Sequence, residues 1–262
     1  MAASTLNKTE NKKLDQLVDK YQKEKGRVSL FRDQLLSALY DSKDLAKHVH
    51  SFKSRLKDPG HLRDKLQRKM LKAKTDKTNF EITSDNFFTK INDLAGVRIL
   101  HLYTRQIREI DTALRSIFDE QRYALIDGPF ARTWDDESRT FFESCNIEAQ
   151  NSPSMYTSVH YVVNSASRTP VTCEIQVRTL MEEVWGEVDH SMNYPHPVDN
   201  LACREQLKVL ARVTSSATRL VDSIYLTLHE HQNLAGSKNG IGSNSPPIKK
   251  KRPRPKRKRA KK

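Results

Sequence analysis

Two neighbouring segments rich in Val, Tyr and Thr constrain the fold of this chain more than any other feature of its sequence. Residues 156–163 and 171–178 both have the composition of β-strands, and turn-forming residues separate them, so they predict an antiparallel pair. In the second segment apolar and polar side chains alternate strictly, with Val171, Cys173, Ile175 and Val177 set against Thr172, Glu174, Gln176 and Arg178. The chain is therefore expected to form a sheet whose two faces differ in polarity.

The polar face of the second strand has two interpretations. An acid, an amide and a guanidinium group in a row are typical of a sheet that lines a polar site. A strand with one solvated face gives the same alternation, however, and the pattern alone does not separate the two.

Helical patterns surround these strands. Apolar residues recur at helical spacing through the first fifty residues and again in residues 62–70, 105–118 and 180–190. A short apolar run, residues 97–103, predicts a buried strand, whereas Gly, Pro and Asn in residues 127–154 predict a loop-rich segment that moves beside a site. These patterns alone predict a mixed fold of the class α/β (α+β), with one antiparallel pair of strands.

The same patterns predict four successive parts of the chain. Residues 1–50 form an N-terminal helical segment, and residues 51–195 contain the predicted strands. Residues 196–234 form an amphipathic helix, and Gly, Ser, Asn and Pro then mark the start of a flexible linker and basic tail, residues 235–262.

The positive charge is concentrated at the C-terminus. The formal net charge is +14, but Lys249 to Lys262 contain eleven basic residues and no acid, so residues 1–248 carry only +3. A flexible cluster of cations binds phosphate non-specifically, which predicts contact with RNA. The composition of the tail also allows two other interpretations. One is a solubilising or ribosome-associated extension, and the other is a sequence that resembles a nuclear signal without that role.

Several classes of protein are excluded or disfavoured. The sequence contains no run of ~18 apolar residues, the length that a membrane-spanning helix needs. Its N-terminus lacks the apolar stretch of a secretory signal, so a cytoplasmic protein is expected. Three widely separated cysteines without a CxxC pair suggest neither disulfides nor a zinc site. No Walker loop, GxGxxG, HExxH or GxSxG motif is present.

Asp93 and Glu174 are the candidate catalytic residues, because both are acids placed at or within apolar strands. Carboxylates suit Mg²⁺, which commonly binds through one or two of them together with the phosphates of a substrate. The basic residues that could meet such phosphates are Arg55, Lys57, Lys65, Arg68, Lys69 and Arg98.

Five motifs in order resemble the synthetase domain of the RelA/SpoT family of alarmone synthetases. The resemblance extends over roughly residues 50–195, and the motifs are Ser54-Arg55-Leu56-Lys57, Asp93-Leu94-Ala95-Gly96-Val97-Arg98, Tyr156-Thr157-Ser158-Val159-His160, Glu174-Ile175-Gln176-Val177-Arg178-Thr179 and Trp185 through Asp189-His190. It implies that residues 51–195 form a synthetase core with a nucleotidyltransferase-like fold, a mixed, mostly antiparallel-containing sheet flanked by helices. It also implies a Mg²⁺-dependent pyrophosphokinase that moves the β,γ-diphosphate of ATP to a ribose 3′-hydroxyl. No hydrolase domain is expected, because the match begins near residue 50.

The resemblance also implies roles for individual residues. Asp93 would bind Mg²⁺, and Glu174 would either hold the metal or activate the 3′-hydroxyl. Arg55 would stack on adenine, as a planar guanidinium can. The phosphate-binding residues would be Lys57, Lys65, Arg68, Lys69 and Arg98, and the acceptor pocket would contain the stacking ring of Tyr156 together with His160, Gln176, Glu183 and His190. His160 and His190 can alternatively be structural histidines.

Departures from the family pattern leave the acceptor open. The family's acceptor loop commonly reads Lys-Pro-x-Gly-Tyr-Arg-Ser, and here residues 152–158 read Ser-Pro-Ser-Met-Tyr-Thr-Ser, so both basic residues are missing. The first hypothesis is synthesis of (p)ppGpp from GTP or GDP. The second is a toxic small member that pyrophosphorylates the 3′ end of tRNA, which would have an antitoxin partner. The third is a catalytically idle binding protein, and a homo-oligomer is compatible with each.

Overall fold

A computed structural model describes residues 6–193 and 198–240. Its centre is a six-stranded mixed sheet with the strand order β1-β2-β6-β5-β3-β4. The strands are β1 (Ser51–Leu56), β2 (Ala95–His101), β3 (Ala124–Thr133), β4 (Glu148–Asn151), β5 (Ser158–Asn164) and β6 (Thr172–Thr179). β2 runs parallel to β6 and β3 parallel to β4, whereas the other neighbouring pairs are antiparallel. The predicted fold class is confirmed, as is the antiparallel pair formed by β5 and β6.

Eight α-helices accompany this sheet among the described residues. They are α1 (Lys8–Asp41), α2 (Lys43–Ala46), α3 (Pro59–Thr75), α4 (Phe87–Lys90), α5 (Ile107–Gln121), α6 (Asp136–Ser144), α7 (Leu180–Asn193) and α8 (Leu201–Gly240). Local signals fix where several begin: the Asn7 side chain accepts a hydrogen bond from the Glu10 amide at the start of α1, and Asp58 accepts two at the start of α3.

The main core lies on the apolar face of the sheet. Cys173, Ile175 and Val177 of β6 are buried there with apolar side chains of α1, α3 and α5. A smaller cluster forms elsewhere, where Trp185 of α7 packs with Leu207 and Ala211 of α8. The sheet therefore buries one face of β6 and leaves Glu174 and Gln176, on the other face, partly accessible.

Residues 127–154 differ from the loop-rich segment that the sequence predicted. They contain most of β3, all of α6 and all of β4. The turn signals are present, but Gly128 and Pro129 are accommodated inside β3 at an irregularity in its pairing with β5. A glycine and a proline can lie within a strand at such an irregularity, so they did not mark a loop.

The C-terminal helix also extends beyond its predicted end. α8 continues to Gly240, whereas the linker was predicted to begin at residue 235. The close contacts divide the chain into two units, Met1–Asp222 and Ser223–Lys262, and the described part of the second unit is the C-terminal half of α8. The basic tail, Lys249 to Lys262, lies outside the described residues. Within the described ranges, no helix is long and apolar enough to cross a membrane.

Candidate active site

A cavity of about 210 Å³ opens on the polar face of the sheet, where β1, β2 and β6 meet α7. Strand register explains why its side chains converge, because residues opposite one another on paired strands project from the same face. Arg55, Gly96 and Glu174 form one row across the three strands, and Lys53, Arg98 and Gln176 form the next. The complete lining is Lys53, Ser54, Arg55, Gly96, Val97, Arg98, Glu174, Gln176, Glu187 and His190.

Asp93 lies just before β2 and is held between two lysines. Its carboxylate accepts hydrogen bonds from the Lys57 ammonium group at 2.9 Å and the Lys65 ammonium group at 2.6 Å. Burial would raise the pKa of Asp93, but the charges and hydrogen bonds of Lys65 and Lys57 outweigh it and lower that pKa to about 2. The aspartate is therefore ionised at neutral pH.

Lys57 is fixed in turn by the fold. Its backbone carbonyl accepts a hydrogen bond from the buried hydroxyl of Tyr21, and its backbone amide donates to the carbonyl of Leu94. Burial of its side chain lowers the pKa of Lys57, against the opposing attraction of Asp93. The predicted donor-side residues Lys57, Lys65 and Asp93 are thus brought together as a single cluster.

Glu174 is coupled to a histidine on the neighbouring strand. Its carboxylate lies 3.1 Å from Nδ1 of His160 and accepts a hydrogen bond from the Gln176 amide at 3.2 Å. Burial would raise the pKa of Glu174, but the contact with His160 prevails and lowers it. Because an ionised carboxylate only accepts hydrogen bonds, Nδ1 of His160 carries the proton in this contact.

Tyr156 connects the acceptor residues predicted from the sequence. Its hydroxyl donates to Oε1 of Gln176 at 3.3 Å, and its ring lies near those of His160 and Trp185, with centroids 5.9 and 6.2 Å away. Burial raises the pKa of Tyr156. Phe130 stacks on the His160 ring, with the two centroids 5.2 Å apart. Tyr156, His160, Gln176 and Glu174 therefore form a continuous chain of contacts.

The loop before Tyr156 adopts the shape that glycine favours, without a glycine. Met155 has φ of 63°, in the left-handed region. The amide of Met155 donates to the carbonyl of Ser152, and the amide of Tyr156 donates to the Ser152 hydroxyl. Met155 stands where the family pattern has glycine, and its backbone has the left-handed conformation that glycine adopts most easily.

Glu183, predicted to contact the acceptor, is buried in a cluster of cations beside the cavity. Its carboxylate accepts hydrogen bonds from Lys53 at 2.8 Å and Arg98 at 3.2 Å, and it forms an ion pair with Arg178. These cations hold the pKa of Glu183 well below its usual range against the opposing effect of burial.

The remaining predicted residues lie at the edges of this arrangement. His190 lines the cavity, and burial together with the nearby charge of Arg55 lowers its pKa. Arg68 and Lys69 are exposed on α3. They are three and four residues beyond Lys65, so they lie one helical turn further along the same side of the helix.

Sequence reasoning missed two residues of the site, Lys53 and Glu187, and assigned no role to Arg178, which it placed on the polar face of the strand. Lys53 precedes Arg55 by two residues on β1, so strand alternation places both on one face. Glu187 lies between Glu183 and His190 at helical spacing, and its carboxylate accepts a hydrogen bond from Arg98 at 2.5 Å. The periodicity was therefore an available signal, although it did not identify the ion-pair partners.

Comparison with known proteins gives a match to a family model and a relative of similar sequence. Residues 54–199 match the model of the region found in RelA/SpoT proteins. The GTP pyrophosphokinase YjbM of Bacillus subtilis is 24% identical over 190 residues, which cover 71% of this chain and 74% of that protein.

Solved structures share the fold. The small alarmone synthetase 1 of B. subtilis has a TM-score of 0.53 at 19% identity, covering 82% of this chain and 97% of that one. A GTP pyrophosphokinase family protein of Streptococcus pneumoniae has a TM-score of 0.52 at 19% identity, covering 79% and 93%.

Proposed function

This chain belongs to the RelA/SpoT family, and we propose that it transfers the β,γ-diphosphate of ATP to the ribose 3′-hydroxyl of GTP or GDP. The observation that carries the proposal is a pair of ionised carboxylates: Glu174 lines the cavity together with Lys53, Arg55 and Arg98, and the charge of Asp93 acts on Glu174. Transfer of a highly charged group requires cations on its oxygens and a base near the acceptor hydroxyl. This site has both.

The donor-side cations would contact different parts of ATP. Arg55 lines the cavity, and its planar guanidinium group can stack on adenine as well as attract phosphate. Lys57 and Lys65 form ion pairs with Asp93, and Arg68 and Lys69 are exposed one turn beyond Lys65 on α3. Together with Arg98 they offset the negative charge of the triphosphate.

The donor set fits Mg²⁺. Within the described ranges, no group of three His, Cys, Asp or Glu side chains could hold a metal ion without a substrate. Mg²⁺ usually needs only one or two carboxylates, because waters and substrate phosphates complete its coordination. Asp93 and Glu174 would supply those carboxylates. The ion, when bound, would neutralise charge that develops on the transferred phosphoryl oxygens.

Glu174 is also the base that we propose for the acceptor. The acceptor 3′-oxygen attacks the β-phosphorus of ATP, the bond from that phosphorus to the α-phosphate oxygen breaks, and AMP leaves. The carboxylate of Glu174 takes the proton from the attacking hydroxyl. His160, which holds that carboxylate through Nδ1, fixes its orientation. Tyr156 would stack on the acceptor base.

A second candidate acceptor, the 3′ end of tRNA, is favoured by one observation. The loop of residues 152–158 contains no basic residue that could meet the 5′ polyphosphate of a free nucleotide. The basic residues of the tail would instead provide contact with RNA. The relative YjbM is named a GTP pyrophosphokinase, which supports the first candidate.

Transfer of label decides between the acceptors. The protein is incubated with Mg²⁺ and ATP labelled at the γ-phosphate, and GTP, GDP, ATP or bulk tRNA is offered separately. We expect label in a guanosine tetra- or pentaphosphate. Label confined to tRNA would contradict the guanosine acceptor, and no transfer to any acceptor would contradict the proposed enzyme. Deleting residues 249–262 provides the matched control, because it should weaken transfer only to tRNA.

The metal requirement is tested with Asp93→Asn, which keeps the size of the side chain. We expect EDTA to abolish transfer by the parent, and excess Mg²⁺ to restore it. The variant should require at least about tenfold more Mg²⁺ for half-maximal transfer, because one anionic ligand is lost. Circular dichroism at each Mg²⁺ concentration separates this effect from unfolding. An unchanged Mg²⁺ requirement in a folded variant would remove Asp93 from the metal site.

A further inference from the structure

Glu183 is a counter-ion shared between cations that line the cavity and a cation that contacts Tyr156. Two of its partners, Lys53 and Arg98, line the cavity, and the third is Arg178 at the end of β6. The side chains of Glu183 and Arg178 are only 7% and 2% exposed, so water does little to screen their interaction. If Glu183 exchanges or loses its partners in the cavity, its electrostatic interaction with Arg178 must therefore change.

Arg178 lies against the ring of Tyr156. Its guanidinium carbon is 5.5 Å from the centroid of that ring, within the range of a cation–π interaction. The absence of a side chain at Gly186 makes room for it, since a Cβ there would overlap Nη1 of Arg178. Arg178 is thus held by Glu183 on α7 and packed beneath the residue proposed to stack on the acceptor base.

We propose that Glu183 is a positioning residue that couples the donor and acceptor subsites, so that binding of ATP strengthens binding of the acceptor nucleotide. When anionic phosphates occupy the cavity, they attract Lys53 and Arg98 away from Glu183. Its undivided charge then acts on Arg178 and fixes that guanidinium under Tyr156. The inference rests on the proposed function, because it needs a nucleotide on each side.

Coupling is measured as the ratio of two dissociation constants for GTP, without and with a saturating ATP analogue. The analogue has a methylene group between its α- and β-phosphorus atoms, the link that the proposed transfer breaks, so no reaction interferes. For the parent we expect a ratio of roughly 5 or more, the lower end of typical couplings between sites. In Glu183→Gln the ratio should fall to about 1, because the amide has no charge to redistribute.

Two further variants separate coupling from ordinary loss of binding. Glu187→Gln alters a carboxylate that contacts Arg98 but not Arg178, so it should change affinity for the ATP analogue and preserve the ratio. Gly186→Ala displaces Arg178 from the other direction and leaves Glu183 intact. It should reduce the ratio and leave affinity for the analogue unchanged, and it also serves where Glu183→Gln fails to fold.

A second readout works without any acceptor. Trp185 lies beside Tyr156, so its fluorescence in a Trp134→Phe background should respond to the ATP analogue alone. A response that disappears in Glu183→Gln and persists in Glu187→Gln supports the coupling even where GTP is not the acceptor. A coupling ratio or a fluorescence response that survives in folded Glu183→Gln overturns it. Failure of the analogue to bind the parent would instead overturn the proposed function, and the inference with it.

Discussion

The two faces of β6 divide stability from chemistry within one strand. Ile175 is fully buried in the main core, whereas its neighbour Glu174 projects into the cavity and contacts His160 and Gln176. Burial of apolar surface stabilises the fold wherever shapes fit. A partly buried carboxylate costs free energy unless partners compensate it. Substitutions on alternate residues of β6 should therefore fail in different ways.

The largest effect is expected from Glu174→Gln, which tests the polar face. The amide keeps the shape of the side chain but cannot accept the proton of the acceptor hydroxyl. We expect transfer to fall by roughly 10²- to 10⁴-fold, with an urea unfolding midpoint close to that of the parent. Single-turnover kinetics with saturating nucleotides measure the chemical step. A variant that retains parental rates would show that another group takes the proton.

Ile175→Ala tests the apolar face and should show the reverse pattern. Removing a fully buried branched side chain leaves a cavity and lowers the free energy of unfolding by about 2–5 kcal/mol. Urea denaturation measures that loss. Below the unfolding transition the remaining folded protein should keep a rate of transfer within about threefold of the parent, since the residue does not touch the site. A large loss of rate in folded protein would mean that the two faces are not separable.

Glu182→Gln tests the polar side chains where β6 meets α7. Glu182 and Glu183 are adjacent buried acids, but burial raises the pKa of Glu182 to about 7, whereas cations lower that of Glu183. A carboxyl with a raised folded pKa contributes stability below its unfolded value near 4.5, and that contribution is lost as pH rises towards 7.

The Glu182→Gln variant lacks this titration. The difference between its free energy of unfolding and that of the parent should therefore shift in favour of the variant between pH 4.5 and 7, and remain constant above pH 7. The gain amounts to roughly 3 kcal/mol at most. Urea unfolding of both proteins at half-unit steps of pH measures the difference. The matched control is Glu183→Gln, which should lose stability over the neutral range, because it leaves Arg178 buried without its counter-ion. A pH-independent difference for Glu182→Gln would contradict the raised pKa.

Some features were predictable because they depend on local periodicity. The alternation of β6 identified its two faces, and the pairing with β5 followed from the turn between them. Asp93 and Glu174 were recognisable as acids in apolar surroundings. Residues 127–154 were mistaken for a loop, because the partners that stabilise β3 and β4 are remote in sequence. Local propensity does not report such pairing.

By itself the sequence determined the fold class, the polar face and the family motifs, since each follows from the order of residue types along the chain. Only the tertiary structure decided which charges meet. Lys65 reaches Asp93 across 28 residues, Glu174 meets His160 across two strands, and Glu183 joins Lys53 to Arg178. Electrostatic interactions depend on distance and burial in space, which residue spacing does not specify. The strand or helix that faces a carboxylate therefore decides whether it is a buried counter-ion, as Glu183 is, or a candidate base or metal ligand, as we propose for Glu174 and Asp93.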